Sequence, residues 1–344
     1  MGGIDVTVRG AGIFGLSVAW AAARRGARVR VVERRRIGAG ASGGLVGALA
    51  PHVPEQWNAK KQFQLESLLM ADGWWAAVAA EAGVDPGYAR IGRVQPLSDA
   101  AAVALAQARA AGAAALWQGR AAWEVTSETG GWVLPGAAFV RDTLSARLHP
   151  RRSLAALAGA IRAQGGEIVE GAETADAGAV VHATGWEGLA ELPAPPGRPA
   201  GAGVKGQAAL FAMDAGDRPQ LYHGGLHVVP HGDGTTAVGS TSEREFGAPA
   251  ATDARLDALI AEARALVPEL AGAEVIDRWA GVRPRARTRA PMLGPWPGRP
   301  GHFVANGGFK IGFGLAPKVG ETLADLVLEG RDAIPAGLRV EDSL

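Results

Sequence analysis

Gly10-Ala11-Gly12-Ile13-Phe14-Gly15 is a stretch of the form G-x-G-x-x-G. The apolar residues 4–9 before it predict a β-strand, and residues 14–25 predict an α-helix that begins inside it. A second strand is predicted over residues 28–33, and its last residue, Glu33, lies 18 positions beyond the last glycine. An acid about 20 residues after such a glycine turn is typical of a β-α-β unit that binds a dinucleotide.

The positions of this unit have separate roles in dinucleotide binding. Gly10 permits a tight turn, Gly12 lets the backbone approach a pyrophosphate, and Gly15 lets the helix pack closely against the strand. The first turn of the helix, with Ile13 and Phe14, offers amide donors and a partial positive charge to the phosphates. We therefore expect the pyrophosphate at the start of this helix.

The residues that follow favour FAD over NAD as the dinucleotide. Glu33 can accept hydrogen bonds from the ribose hydroxyls of adenosine, and Arg34 follows it at the same end of the strand. A second glycine-rich loop, residues 38–44, is placed to bring backbone amides to the pyrophosphate and the flavin edge. The cofactor contacts predicted in and beside this loop are Ala41, Ser42, Gly43 and Leu45.

Composition excludes several classes of function. The chain has 344 residues, of which 48% are hydrophobic, and this is enough for one core or two lobes. Its formal charge of +1 gives no reason to expect a nucleic-acid partner. The absence of cysteine excludes disulfides, thiolate metal sites and a cysteine-linked flavin. We predict no metal site, no signal peptide and no membrane span, since no run of 18 apolar residues is present, and we expect a cytoplasmic protein.

Further motifs, taken in their order along the chain, resemble the superfamily of D-amino-acid oxidase, glycine oxidase and sarcosine oxidase. Besides the glycine turn and the second loop, they are Ala183-Thr184-Gly185-Trp186, Val204-Lys205-Gly206-Gln207, Val228-Val229-Pro230-His231, Val238-Gly239-Ser240-Thr241, Gly281-Val282-Arg283-Pro284, Ala290-Pro291-Met292-Leu293-Gly294 and Gly307-Gly308-Phe309-Lys310-Ile311-Gly312. The resemblance covers nearly the whole chain.

This resemblance implies an α/β fold with two interleaved lobes. One lobe would be a Rossmann-type parallel-sheet domain that binds FAD without a covalent bond, and we assign it to residues 1–85, 139–200 and 296–344. The other would be a mostly antiparallel substrate-binding domain that covers the flavin, and we assign it to residues 86–138 and 201–295. A Pro- and Gly-rich stretch near residue 200 supports a boundary there.

The resemblance also implies roles for individual residues. In relatives the arginine of G-x-R-P binds the substrate carboxylate, and that position is Arg283 here. A planar guanidinium holds a carboxylate through two parallel hydrogen bonds, which aims the α-carbon hydrogen at the flavin. Implied FAD contacts are Thr184, Gly185 and Trp186. A further set of contacts would come from the loop under the flavin pyrimidine, which contains Gly307, Gly308, Phe309, Lys310, Ile311 and Gly312.

Three positions leave alternatives open, and a fourth feature departs from the pattern. Lys310 would polarise the flavin or assist oxygen reduction, or would be an exposed lysine on a turn. His227 stands where relatives have a tyrosine, and it could bind a carboxylate, act as a base or bond a backbone group. His52 could reach the active site or be structural. The segment 168–178 is shorter than in relatives, which predicts a more open adenine end.

The function implied is FAD-dependent oxidation of a small amine or amino acid, of the glycine, sarcosine or D-amino-acid type. Hydride transfer to flavin N5 would give an imine that hydrolyses, and oxygen or another acceptor would reoxidise the flavin. The alternatives are a flavoenzyme for a 2-hydroxy acid or for an aminomethyl group of a larger substrate, and a flavin-binding protein without turnover.

Overall fold

The glycine turn joins a strand to a helix in the structure, a computed structural model that describes residues 3–344. Strand β1 spans Val6–Arg9, helix α1 spans Ile13–Ala23 and strand β2 spans Val29–Glu33. β1 and β2 pair in parallel, with Val6 opposite Val29, so the predicted β-α-β unit is confirmed. Every residue of α1 is buried, which explains why alanine and other apolar residues fill all of its sides.

The remaining elements follow along the chain. The strands are β3 (Ala48–Leu49), β4 (Arg93–Pro96), β5 (Trp123–Thr126), β6 (Phe139–Asp142), β7 (Ala146–Arg147), β8 (Glu167–Glu170), β9 (Ala179–His182), β10 (Gly201–Phe211), β11 (Gln220–His223), β12 (Leu226–Pro230), β13 (Thr236–Gly239), β14 (Val275–Ala286), β15 (Met292–Pro295) and β16 (His302–Asn306). The helices are α2 (Ala59–Ala82), α3 (Ala100–Trp117), α4 (Pro150–Ala163), α5 (Ala254–Leu266) and α6 (Gly312–Glu329).

The first lobe is built on a six-stranded sheet in the order β15-β16-β9-β1-β2-β8. All neighbours in it are parallel except β15, which runs antiparallel to β16 at one edge. Parallel strands end at the same edge of a sheet, so the residues that follow β1, β2, β9 and β16 gather there. Those are the glycine turn, the residues after Glu33, the Thr184 loop and the Gly307 loop.

The second lobe is an eight-stranded sheet in the order β14-β10-β13-β12-β11-β4-β6-β5, antiparallel except for the β11–β4 pair. The two-lobe α/β fold is therefore as expected. Two short strands lie on the other side of the assigned boundaries. β6 falls in the segment assigned to FAD binding but pairs in this eight-stranded sheet. β15 falls in the segment assigned to substrate binding but pairs in the six-stranded sheet. Strands of four residues carry too little pattern to indicate which sheet they join.

Helix α3 differs from the expectation for membrane spans. It has 18 residues and a mean hydropathy of 1.2, which meets the length and composition of a span, although only 17% of it is buried. It contains polar Gln107 and also Arg109, whose guanidinium pairs with Glu55 at 2.7 Å. Its Trp117 packs into the hydrophobic core.

Candidate active site

A cavity of about 470 Å³ extends from the glycine turn of the first lobe to β14 of the second. Its walls contain residues of both lobes, among them the turn at Gly10 and the sheet residues His227 and Arg283. A cleft of this size between two lobes is the usual setting of a cofactor and its substrate.

The glycine turn leaves no space for side chains. A Cβ built on Gly10 would lie 2.4 Å from the carbonyl oxygen of Ala183, and one on Gly15 would lie 2.0 Å from the carbonyl oxygen of Gly10. Gly10 also has φ of +104°, which favours glycine. The backbone at the start of α1 therefore lies directly against the end of β9 and is open towards the cavity.

The start of α1 has the features of an anion site. The helix has no acidic residue in its first turn and no side chain that caps it at Gly12. The Oγ of Ser42 accepts a hydrogen bond from the amide of Ile13 at 3.0 Å, which brings the predicted second loop against the first turn. Amides and a hydroxyl thus converge where the sequence predicts the pyrophosphate.

Glu33 is held at the end of β2 by backbone amides. Its carboxylate accepts hydrogen bonds from the amides of Ala11 at 2.9 Å and Arg35 at 3.0 Å. Arg34 lines the cavity, and its guanidinium pairs with Glu187. A carboxylate in this position fits the ribose hydroxyls of the adenosine half of FAD.

Asn306 connects two of the predicted FAD loops, and sequence reasoning missed it. Its Nδ2 donates to the carbonyl oxygen of Gly185 at 2.9 Å, and its Oδ1 accepts from the amide of Gly307 at 2.8 Å. The side chain is buried. The available signal was an asparagine that ends a strand immediately before a glycine pair.

Most of the predicted cofactor residues line the cavity. They are Gly10, Gly12, Ile13, Phe14, Glu33, Arg34, Ala41, Ser42, Leu45, Thr184, Gly185, Trp186, Gly308, Phe309, Lys310 and Gly312. Gly15, Gly43, Gly307 and Ile311 do not line it. A Cβ on Gly43 would lie 2.1 Å from the carbonyl oxygen of Gly38, so that glycine serves the packing of its loop. The residues present fit an FAD molecule.

Arg9 binds the short segment 168–178, whose length predicts a more open adenine end. Its guanidinium donates to Asp176 and Glu173, each at 2.7 Å, and to the carbonyl oxygen of Thr174 at 3.2 Å. Arg9, Glu173 and Asp176 all line the cavity. The short loop is thus held to the end of β1 by ion pairs, a contact that the sequence did not indicate.

Arg283 lies on β14 and is 8% exposed. Its Nη1 donates to Ser240 Oγ at 2.8 Å, and its Nη2 donates to the carbonyl oxygens of Thr241 at 2.6 Å and Lys205 at 3.2 Å. Its Nε is buried without a partner among residues 3–344. Burial lowers the pKa of Arg283 to about 10, so it remains a cation at neutral pH.

A buried polar network lies behind Arg283 and was not predicted. Glu243 accepts hydrogen bonds from Thr241 Oγ1 and from Gln207 Nε2, and its carboxylate lies 3.8 Å from the ammonium of Lys205. Burial alone would raise the pKa of Glu243, but these hydrogen bonds and the charge of Lys205 lower it. The network holds the strand and the loop that supply the partners of Arg283.

His227 lines the cavity as a neutral imidazole. Burial, with the charges of Arg93, Lys310 and Arg283, lowers its pKa to about 3. Its ring packs against Tyr222 at a centroid distance of 4.7 Å, and Nδ1 has no partner within the described chain. An imidazole with this pKa is unprotonated at neutral pH and is a weak base, and each of the three roles considered for His227 stays a prediction.

The other two candidate residues differ in position. Lys310 lines the cavity and is partly exposed to solvent. His52 is absent from the residues that line the cavity. Its backbone amide donates to Gln64 Oε1 at 2.9 Å, and its ring Nδ1 contacts the same oxygen, which ties it to α2.

Comparison with known proteins supports this interpretation. The family model described as FAD dependent oxidoreductase matches residues 5–326. A glycine oxidase of Pseudomonas aeruginosa is 36% identical over 132 residues, a match that spans 38% of this chain and only 36% of that protein. A putative thiamine biosynthesis oxidoreductase of Rhizobium etli is 31% identical over 346 residues, which are 94% of this chain and 97% of that protein.

The fold is shared with solved structures. The crystal structure of glycine oxidase from Geobacillus kaustophilus superposes with a TM-score of 0.83 at 23% identity, and the match covers 98% of each chain. The family model covers nearly the whole chain and the cavity has the features of an FAD site. This chain is a member of the FAD dependent oxidoreductase family, and FAD is its cofactor.

Proposed function

We propose that the protein oxidises a small amine that carries a carboxylate, such as an amino acid or an N-alkyl glycine. The observation that carries this proposal is the buried guanidinium of Arg283, which lies in the cavity wall without an ion pair to any side chain of residues 3–344. A buried cation without a counter-charge is costly, and a bound carboxylate would offset that cost.

The partners of Arg283 leave two of its N–H donors without a hydrogen bond. Nη1 and Nη2 donate to Ser240, Thr241 and Lys205, whereas the buried Nε has no partner. A guanidinium has five donor hydrogens, so two remain for a carboxylate after three are used. Those three contacts hold the guanidinium in one orientation, which is the requirement for positioning the α-carbon.

The charges of the cavity favour the neutral form of a bound amine. Arg283 is a cation, Lys310 lies close enough that the charge of Arg283 lowers its pKa, and His227 is neutral. Nearby positive charge lowers the pKa of an ammonium, so a bound substrate would lose a proton more readily than in water. The neutral amine is the form that can give up a hydride, and FAD supplies the two-electron acceptor.

The experiment is an anaerobic visible spectrum of the FAD-loaded protein during addition of glycine, sarcosine, proline and D- and L-amino acids. We expect one group of these amines to bleach the flavin band. Lactate and glycolate serve as the 2-hydroxy-acid controls. Bleaching by a hydroxy acid alone would replace the amine with the alternative substrate class, and a band that no compound bleaches would reject turnover.

A further inference from the structure

β14 carries a second arginine on the same face as Arg283. Arg283 and Arg285 are separated by one residue, and the pairing of β14 with β10 is regular there, with Arg283 opposite Val204 and Arg285 opposite Ala202. Alternate residues of a strand point to the same side of a sheet and lie on the order of 7 Å apart. Arg283 is buried and Arg285 is half-buried, so the pair leads outward from the cavity.

Lys310 faces the same region from the loop before α6. The guanidinium carbon of Arg283 lies 5.6 Å from the centroid of the Phe309 ring, that of Arg285 lies 6.0 Å away, and Lys310 Nζ lies 5.9 Å away. The amide of Phe309 donates to the carbonyl oxygen of Pro284 at 3.0 Å, which fixes this loop beside the two arginines. Three cations therefore lie around one aromatic ring, and Arg283, Phe309 and Lys310 line the cavity, whereas Arg285 lies just outside its lining.

Phe309 is held in an uncommon backbone conformation at this place. Its φ is +43°, in the left-handed region that favours glycine. Strain of this kind persists where the surrounding structure determines it, and it occurs often in ligand sites. The conformation places the aromatic ring among the cations.

The three cations have no counter-charge within contact. Neither Arg285 nor Lys310 forms an ion pair with a side chain of residues 3–344, in contrast to Arg278 on the same strand, which pairs with Asp257 at 2.7 Å. Burial lowers the pKa of Lys310, and the charge of Arg283 lowers it further. Burial also lowers the pKa of Arg285, with contributions from the charges of Arg289 and Arg244.

The two acidic residues of the neighbouring loop, Glu243 and Glu245, form no ion pair with Arg285 or Lys310. Glu243 is bound within the network around Lys205 and Gln207 and also pairs with Arg255. Glu245 lies on the same loop as Arg244 and is exposed, and it forms no ion pair with the described residues. Adjacent like charges repel each other, and an anion between them removes that repulsion.

We propose that Arg285 and Lys310 form a second anion subsite at the mouth of the cavity, so that the preferred substrate carries a second carboxylate or a phosphate. This inference rests on the proposed function, because Arg283 would hold the first carboxylate. The second anionic group would lie beside the Phe309 ring, between the two cations. An amide of the same shape would be bound less well because it has no charge.

The test measures binding, so that it does not depend on turnover. Holoprotein is titrated with succinate and with succinamate, its monoamide, by calorimetry and by the perturbation of the flavin spectrum. We expect succinate to bind about tenfold more tightly, as for one charge-assisted hydrogen bond at a partly hydrated site. A parallel titration with 3-phosphonopropionate shows whether carboxylate or phosphate is the better second group.

Substitutions of Arg285 and Lys310 test whether these two residues form the subsite. Arg285→Gln should reduce the succinate-to-succinamate ratio of affinities to below about threefold, a loss of most of one charge-assisted contact. Arg285→Lys should retain the preference, and Lys310→Met should reduce it. Arg162→Gln, an exposed arginine on α4, is the matched control and should leave the ratio unchanged. Because the readout is a ratio within one protein, a general loss of stability does not imitate the effect.

Three results would overturn the subsite. These are equal affinities for succinate and succinamate in the wild type, a preference for succinate that survives both Arg285→Gln and Lys310→Met, and a preference that Arg162→Gln also removes. Failure of the proposed function looks different, since the flavin would then resist reduction by every amine while the succinate preference remained. Reduction by glycine together with equal affinities would instead retain the function and reject the second site.

Discussion

Gly206 lies directly beneath the guanidinium of Arg283. A Cβ built on Gly206 would lie 2.2 Å from Arg283 Nη2 and 2.5 Å from its Cζ. The two residues belong to paired strands, since Gly206 is opposite Gly281 in the β10–β14 ladder. The absence of a side chain on β10 therefore makes the space that the guanidinium occupies.

Gly206→Ala should weaken substrate binding without unfolding the protein. The atoms that meet the new methyl group are at the end of a flexible side chain, so Arg283 is expected to move rather than the sheet. We expect FAD to remain bound and KM to rise by at least tenfold, because the substrate carboxylate loses an oriented partner. Gly73→Ala, at a position with no atom within 4 Å of the new Cβ, is the control. An unchanged KM in Gly206→Ala would show that the position of Arg283 does not matter.

Arg283→Lys should be nearly as damaging as Arg283→Met. Lysine offers a single ammonium, which cannot hold a carboxylate in two parallel hydrogen bonds while it also bonds Ser240 and Thr241. Loss of one or two charge-assisted hydrogen bonds predicts that kcat/KM falls by a factor on the order of 100 to 1,000. The measurement is the rate of flavin reduction against substrate concentration. A lysine variant with wild-type kcat/KM would contradict a bidentate contact.

The sequence predicted that the loops of the FAD half of the site would lie together, because its determinants are local. The glycine turn, Glu33 and the loop with Ser42 follow one another within 33 residues, and short-range geometry is enough to bring them together. The contact of Ser42 Oγ with the amide of Ile13 shows the two loops meeting as the motif requires.

The surroundings of Arg283 could not be predicted in the same way. Ser240, Thr241 and Glu243 come from a loop some 40 residues earlier, and Gly206 comes from β10. They meet Arg283 only through the register of antiparallel strands, which a single sequence does not specify. The resemblance indicated Arg283 itself, but it did not indicate the network that orients it.

Glu33→Gln should weaken FAD binding and leave the fold intact. The glutamine amide has one acceptor oxygen where the carboxylate has two, so it can no longer accept from the amides of both Ala11 and Arg35, and it is a weaker acceptor for the ribose hydroxyls. We expect the Kd of FAD to rise about tenfold, as for the loss of charge assistance in one hydrogen bond. Fluorescence titration of apoprotein with FAD measures it. Glu167→Gln, at an exposed position on β8, should bind FAD as the wild type does, and equal Kd values in the two variants would exclude a ribose contact.

Stability should fall as pH falls from about 6.5, and His231 should account for part of the loss. Burial, with the charge of His149, lowers the pKa of His231 from 6.5 to about 4. A histidine with a lowered pKa binds its proton in the unfolded state first, so its contribution is complete above pH 6.5 and is lost as pH falls towards 4. At pH 5 the loss is about 2 kcal/mol for one such group.

His231→Asn should therefore flatten this pH dependence. Urea unfolding at pH 7 and pH 5 gives the difference in free energy of unfolding, which we expect to be smaller by about 2 kcal/mol in the variant than in the wild type. The exposed His223 provides the matched control, since His223→Asn should retain the wild-type difference. Carboxylates with lowered pKa values, such as Asp5, lose their stabilising contribution at lower pH, so they do not affect the difference in free energy of unfolding between pH 7 and pH 5. If His231→Asn and His223→Asn lost equal stability between the two pH values, the buried neutral state of His231 would be rejected.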